Sequence, residues 1–215
     1  MSRERCTDRA RVYRALARMF QVPERSRVDS VRNEDLPAVK GALGRLGAEG
    51  DLLEKVDRLV ALFSDADLEQ LRRDYESTFE PSGGLRCSPN ETSHAPNSPQ
   101  EAMVRTFEMA DIAGFYRAFG VEIAPGTERV DHVGAELEFM HLLAVKELLA
   151  EQSGDPEHAE ICRDASLAFL RDHLIRWMPK LGQSLEEMAE GPVYRLAGEV
   201  AARFVELDWE GHDPA

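Results

Sequence analysis

Glu128-Arg129-Val130-Asp131-His132-Val133-Gly134-Ala135-Glu136-Leu137-Glu138-Phe139-Met140-His141 is the stretch on which the fold turns. Pro125-Gly126 precedes it, and an apolar run from Leu142 to Leu149 follows it. Pro-Gly ends whatever came before. Asp131 can then cap a new helix, its carboxylate accepting from a free backbone N–H. The spacing predicts a helix from about His132 to about Glu151, stopped by Gly154-Asp155-Pro156. Val133, Leu137, Met140, Ala144 and Leu148 recur at helical spacing, and Phe139, Leu142 and Leu143 widen the apolar face. A helix this apolar belongs at the centre of a helical domain.

The same periodicity runs outward from it. Val12, Leu16, Met19 and Phe20 predict a first helix from about Thr7 to Phe20, ended by Pro23. The charged residues 23–37 read as a loop with at most a short helix, and Pro37 opens a helix to Leu46. Leu52 to Phe63 mark the next helix. Ser64 or Asp65 can cap the one after it, where Leu68, Leu71, Tyr75 and Phe79 fall three or four apart. Residues 80–100 break the pattern with Pro81, Pro89, Pro96 and Pro99, and so long an irregular stretch is either functional or mobile. Helix resumes after Pro99 and closes at Gly120. A helix through Ile161 and Phe169 ends near Trp177 and Pro179, a short segment carries Leu181 to Met188, and Pro192 opens a last helix. No stretch alternates with period two, so no strand is expected. The whole, residues 1–215, reads as a single all-α globular bundle of about eight to ten helices with an irregular loop at about 80–100.

A formal charge of −14 argues against a nucleic-acid partner, since phosphate contacts need a basic surface. It favours encounter with basic partners. Cys6, Cys87 and Cys162 are too few and too scattered for a disulfide framework, so a reducing cytoplasm is the expected compartment. Met1-Ser2-Arg3-Glu4-Arg5 lacks the apolar core of a signal peptide, and no apolar run approaches the ~20 residues of a membrane-spanning helix.

Asp131-His132, then Gly134, then Glu136-Leu137-Glu138-Phe139-Met140 resembles the signature of the TorD/DmsD/NarJ redox-enzyme maturation chaperones. Two further stretches resemble family patterns in the family's order. One is Asp74 to Phe79 followed by Cys87-Ser88-Pro89-Asn90-Glu91-Thr92; the other runs from Phe169 to Trp177. The Cys-Ser-Pro-x-Glu-Thr loop is most similar to chaperones serving dimethyl sulfide or ethylbenzene dehydrogenase-like, or chlorate or selenate reductase-like, molybdoenzymes. The resemblance implies a TorD-like fold, either a monomer or a helix-swapped dimer. It implies a cytoplasmic, client-specific chaperone and not an enzyme. Such a protein binds the apo catalytic subunit of a molybdopterin oxidoreductase and its twin-arginine leader, assists cofactor insertion and proofreads before export. Relatives are also linked to molybdenum cofactor and guanine nucleotide, for which no residues of this chain can be assigned.

By that resemblance Asp131 and His132 lie in the leader-binding surface, with Pro89, Asn90 and Glu91 on the facing loop and Glu128 and Glu136 adding negative charge. The chemistry suits the role: a carboxylate can take an arginine in a charge-assisted pair, and a neutral imidazole can donate or accept. The plain alternative is that Asp131 caps a helix and His132 merely starts it. Where many relatives have Pro before the Asp, this chain has Arg129-Val130. The competing functional class is a helical carboxylate/histidine metalloprotein. It rests on two Glu-x-x-His patterns, Glu138/His141 and Glu91/His94, and on a three-ligand zinc grouping of Cys87, Glu91 and His94. The spacing is short enough to arise by chance in so acidic a chain, and Glu138 and His141 are expected to pack and hydrogen-bond, not to ligate.

Overall fold

Apolar stripes and proline and glycine punctuation fold this chain into helices almost throughout. The computed structural model describes residues 3–79, 87–94, 99–124 and 129–212. The helices are α1 (Arg3–Met19), α2 (Arg25–Ser30), α3 (Leu36–Arg45), α4 (Asp51–Asp65), α5 (Leu68–Phe79), α6 (Pro99–Ala118), α7 (Val133–Ser153), α8 (Pro156–Phe169), α9 (Ile175–Met188) and α10 (Pro192–Glu210). Single π turns, Val31–Asp35 and Leu170–Leu174, join α2 to α3 and α8 to α9, leaving eight continuous rods among the described residues. The β pairing seen among these residues is one isolated bridge, Asn90 to His132.

α7 lies along α1 and packs against α8, while α3 flanks α1. α10 carries α9, α4 and α5. The two groups meet where α3 touches α4 and α1 touches α10, and the α8–α9 rod runs between them. Their buried apolar side chains form one contiguous cluster.

Three boundaries differ from the sequence expectation, each for a physical reason. Residues 25–45 are one helical rod, not a loop before a helix. Pro37 lacks an N–H and would crowd the carbonyl four residues back, and the π turn just before it widens the helix there. Pro179 likewise lies inside α9, which continues to Met188 instead of ending near Trp177. Asp67, not Ser64 or Asp65, caps α5, its Oδ1 accepting from the Gln70 N–H at 2.7 Å.

Charges tie the rods together as well. Arg9 of α1 is fully buried and donates from Nε and Nη2 to Asp208 of α10 at 2.7 and 3.0 Å. The Tyr13 hydroxyl donates to the same carboxylate at 2.6 Å. Glu147 of α7 lies 3.6 Å from Arg9 and accepts from Arg163 of α8 at 3.0 Å. Removing one partner of such a buried pair leaves a charge with neither water nor counter-ion.

α9 and α10 approach so closely that glycine is required at their crossing. A Cβ on Gly198 would stand 2.7 Å from Leu185 Cδ1, and one on Gly182 would stand 3.1 Å from the Gly198 carbonyl oxygen. Gly198→Val is therefore expected to cost about 1–3 kcal/mol in a urea melt. Gly44→Ala, on an exposed helical face with nothing within 4 Å, should instead be neutral or gain up to about 1 kcal/mol. Equal effects at the two positions would contradict the close crossing.

Candidate functional site

α7 begins inside the protein, and its first N–H groups need partners that water cannot supply. The loop before α6 provides one. The Val133 N–H donates to the Pro89 carbonyl at 2.8 Å, and the Glu91 N–H donates to the Asp131 carbonyl at 2.9 Å. These two bonds are the Asn90–His132 bridge. His132, not Asp131, is the N-cap: its Nδ1 accepts from the Gly134 N–H at 3.1 Å. The helix starts at Val133, one residue later than expected.

Asp131 is wholly buried and does a different job. Its Oδ2 accepts from the Thr92 hydroxyl at 2.7 Å and the Thr92 N–H at 3.2 Å. Arg129 closes on it bidentately, 2.9 Å from Nε to Oδ1 and 2.9 Å from Nη2 to Oδ2. Asp131 has no exposed side chain, whereas Arg129 is 48% exposed. So the carboxylate expected to await a partner's arginine already holds one from its own chain.

Beyond Asp131 lies a run of further acids. Glu136, in the first turn of α7, is fully buried and its Oε2 accepts from the Trp177 indole N–H at 2.9 Å. Its Oε1 meets no resident donor. Burial, and then the nearby Glu91 carboxylate, push its pKa well above the usual carboxyl range. A proton held by Glu136 lets the two acids lie together in the interior. Glu91 faces His173, whose Nδ1 lies 3.1 Å away, and the His173 Nε2 lies 3.2 Å from Asp111. Glu108 of α6 also has a raised pKa, from burial and from Glu91. Pro89 is buried, Asn90 half-buried, and Glu128 lies outside the described residues.

The structure thus brings Asp131, His132, Pro89, Asn90, Glu91 and Glu136 together, but mostly as a buried loop-to-helix junction and not as an open surface. It adds residues that the spacing did not single out: Thr92, Arg129, Glu108 and Asp111. His173 and Trp177 came from the third family-like stretch, where their i, i+4 spacing was the available signal. Of the 80–100 loop, residues 87–94 are packed, with a 3-10 turn over Glu91–His94, and 80–86 and 95–98 lie outside the described residues.

The metal patterns come apart into hydrogen bonds. His141 Nδ1 lies 2.9 Å from the Ala10 carbonyl, and Glu138 accepts from Gln21 at 3.2 Å. His94 Nε2 lies 2.8 Å from the Ser88 carbonyl. Among the described residues the one three-ligand grouping is Cys6, Glu147 and Glu151. There Glu147 is already matched by Arg9 and Arg163. An entrance this acidic does not suit the phosphates of a nucleotide or a pterin cofactor, which need N–H donors and cations.

Residues 48–183 match the family described as nitrate reductase delta subunit. The chain belongs to that family. It is 34% identical over 101 residues to the perchlorate reductase assembly chaperone protein of Dechloromonas aromatica (strain RCB), a match covering 46% of this chain and only 44% of that one. It is 28% identical over 195 residues to the chlorate reductase assembly chaperone protein of Ideonella dechloratans, covering 90% and 84%. The resemblance to the maturation chaperones seen at Asp131-His132, and that to their chlorate and selenate branch seen in the loop from Cys87 to Thr92, are confirmed. A crystal structure of a protein assigned to redox enzyme maturation in Archaeoglobus fulgidus superposes with TM-score 0.54 at 16% identity, covering 92% of this chain and 93% of that one, which establishes the shared fold.

Two predictions arise at this junction. His132, as an acceptor at Nδ1, must be neutral, and burial lowers its pKa from 6.5 to about 4. The stability that goes with the neutral, capping ring is complete above pH 6.5 and is lost as pH falls from there through about 4. His173 runs the other way. Burial opposes its charge, but Glu91 and Asp111 outweigh it and raise its pKa. Its pairing stabilises fully below pH 6.5 and is lost as pH rises through the raised value. In an NMR titration of the imidazole carbons His173 should lose its proton at higher pH than His132, and an ordinary titration of His132 near 6.5 would exclude the cap. Asp131→Asn should cost about 1–3 kcal/mol in a urea melt, because it weakens buried charged hydrogen bonds. A change of a few tenths would return Asp131 to the role of a simple cap.

Proposed function

We propose that this protein is a chaperone for the assembly of an oxidoreductase. It binds the apo catalytic subunit of a molybdopterin enzyme and that subunit's twin-arginine leader, in the cytoplasm, before export. It assists cofactor insertion without catalysing a reaction. Family membership and the relatives named as assembly chaperones support the general role. The observation that carries the leader reading is Asp131: a buried carboxylate whose guanidinium partner, Arg129, is half exposed and therefore exchangeable.

A leader arginine would take Arg129's place on Asp131, with Thr92 keeping its bonds to the same carboxylate. Asn90 and Glu128 stand as further contacts, and His132, Pro89, Glu91 and Glu136 hold the loop against α7. A bidentate guanidinium–carboxylate pair gives this exchange its geometry.

A fluorescent twin-arginine peptide titrated against three folded variants tests it. Asp131→Asn should bind up to about tenfold more weakly, the lost charged hydrogen bond being partly offset by the resident Arg129 it also releases, and His132→Ala should weaken binding by loosening the loop that holds Asp131. Arg129→Gln should bind more tightly, because no resident arginine then has to leave. If Arg129→Gln weakens binding as the other two do, Asp131 only shapes the loop and makes no contact with the leader.

A further inference from the structure

On the α1-facing side of the α7 entrance a groove of about 820 Å³ lies between the α1–α2 connection and residues 121–124. It shares Val121, Ile123, Ala135 and Glu138 with a neighbouring recess of about 310 Å³. Tyr116, Phe139 and Leu142 extend the floor of that recess, which is mostly apolar. Ala135 and Glu138 stand one and two turns into α7 from Asp131.

The rim is acidic. Glu24, Glu122 and Glu138 are all exposed. The one basic lining residue, Arg27, is spent locally: it donates to the Val22 carbonyl and lies 4.0 Å from Glu24. Behind the recess, Arg14 and Arg18 are both paired with Asp35. Burial, and after it Arg14 and Arg18, lower the pKa of His141 against the Ala10 carbonyl and Glu138, which raise it. The groove therefore offers an apolar floor beside two carboxylates, Glu122 and Glu138, that have no ion pair with another side chain among the described residues.

We propose that this groove binds a linear peptide segment in which a basic residue adjoins an apolar run. Glu138, with Glu122, faces the basic side chain, and Ala135, Ile123, Phe139 and Leu142 take the apolar ones. This rests on the leader reading above and locates the segment next to the arginine held at Asp131. Glu138 already accepts from Gln21 with one oxygen, which fixes its carboxylate at the groove edge and leaves the other oxygen for the peptide. An apolar floor alone would accept any greasy segment; the acidic rim selects one carrying positive charge.

The test uses the full chain and two synthetic peptides, one with Arg-Arg before an apolar run and one with Gln-Gln in its place. Glu138→Lys reverses the rim charge at an exposed position and leaves the core alone. Ala135→Trp fills the groove, and circular dichroism checks its fold. Each should weaken binding of the Arg-Arg peptide about tenfold or more, and Glu138→Lys should also shrink the difference between the two peptides. If the wild type binds the peptide and both folded variants bind it equally well, the leader reading stands and the groove is not its site. If the wild type does not bind it at all, the leader reading fails and the groove loses its occupant. If the variants change only self-association in sedimentation, the groove is an interface between copies of this chain and the proposal is overturned.

Discussion

A helix that starts in the interior must find partners for its first N–H groups, and α7 is such a helix. His132 and Pro89 answer two of them, from the Gly134 and Val133 N–H groups. An unmet buried N–H costs about 1–3 kcal/mol, so neither answer is optional. From this follow the rest of the junction's features. The loop must run antiparallel to residues 131–133, His132 must be neutral, and Thr92 must arrive beside Asp131. Gly134 belongs to the same constraint. A Cβ there would come within 3.1 Å of Gln21 Cγ and 3.3 Å of the Ala17 carbonyl, so its absence lets α7 lie against α1.

The interior holds two charged networks built on different principles. Around Arg9 the signs balance, with Asp208 and Glu147 against Arg9 and Arg163. Such a network fixes how the rods pack, and it leaves little free for a ligand. Around the α7 entrance acids are in surplus: Glu91, Glu108, Asp131 and Glu136 share His173 and the outer Arg129 and Arg176. The surplus is eased because burial and Glu91 favour the protonated form of Glu136 and because Arg129 reaches in from solvent. A site whose neutrality depends on a half-exposed side chain is one where an outside cation can substitute.

The helices are legible in the sequence, as is the pairing of the 87–92 loop with the start of α7. Gly154 and Pro156 stop α7, Pro99 starts α6, and the apolar periodicity of α4 and α5 fixes their faces. Proline was the main source of error. Pro37 and Pro179 read as boundaries because proline costs a helix one hydrogen bond, yet a π turn takes up the loss just before Pro37 and α9 continues through Pro179. At Asp131-His132 both residue types cap helices, and local sequence does not say which one points at the backbone. That choice is made by Thr92, 39 positions away in the chain, which claims Asp131 and leaves the cap to His132. Arg129 stood in the quoted stretch as a departure from the family pattern. Its bidentate bond shows what the departure does.

On the proposed leader reading, Arg129 also decides where the affinity would come from. Exchanging one guanidinium for another on Asp131 leaves the Coulomb energy of that pair nearly unchanged. A leader arginine would then supply recognition, and the net gain would come from surface buried elsewhere. Apolar area removed from water contributes roughly 25 cal/mol per Å², so an apolar segment burying about 200 Å² gains about 5 kcal/mol before its ordering cost. The surface that would supply that burial is the groove in which Ala135 and Leu142 of α7 face Val121 and Ile123. A peptide with arginines and no apolar run would exchange one ion pair for another and gain little. A peptide with an apolar run and no arginine would leave Glu138 and Glu122 facing no charge. Selection for both features together would follow from placing a pre-occupied carboxylate at the entrance of α7 and an apolar groove along its first turns.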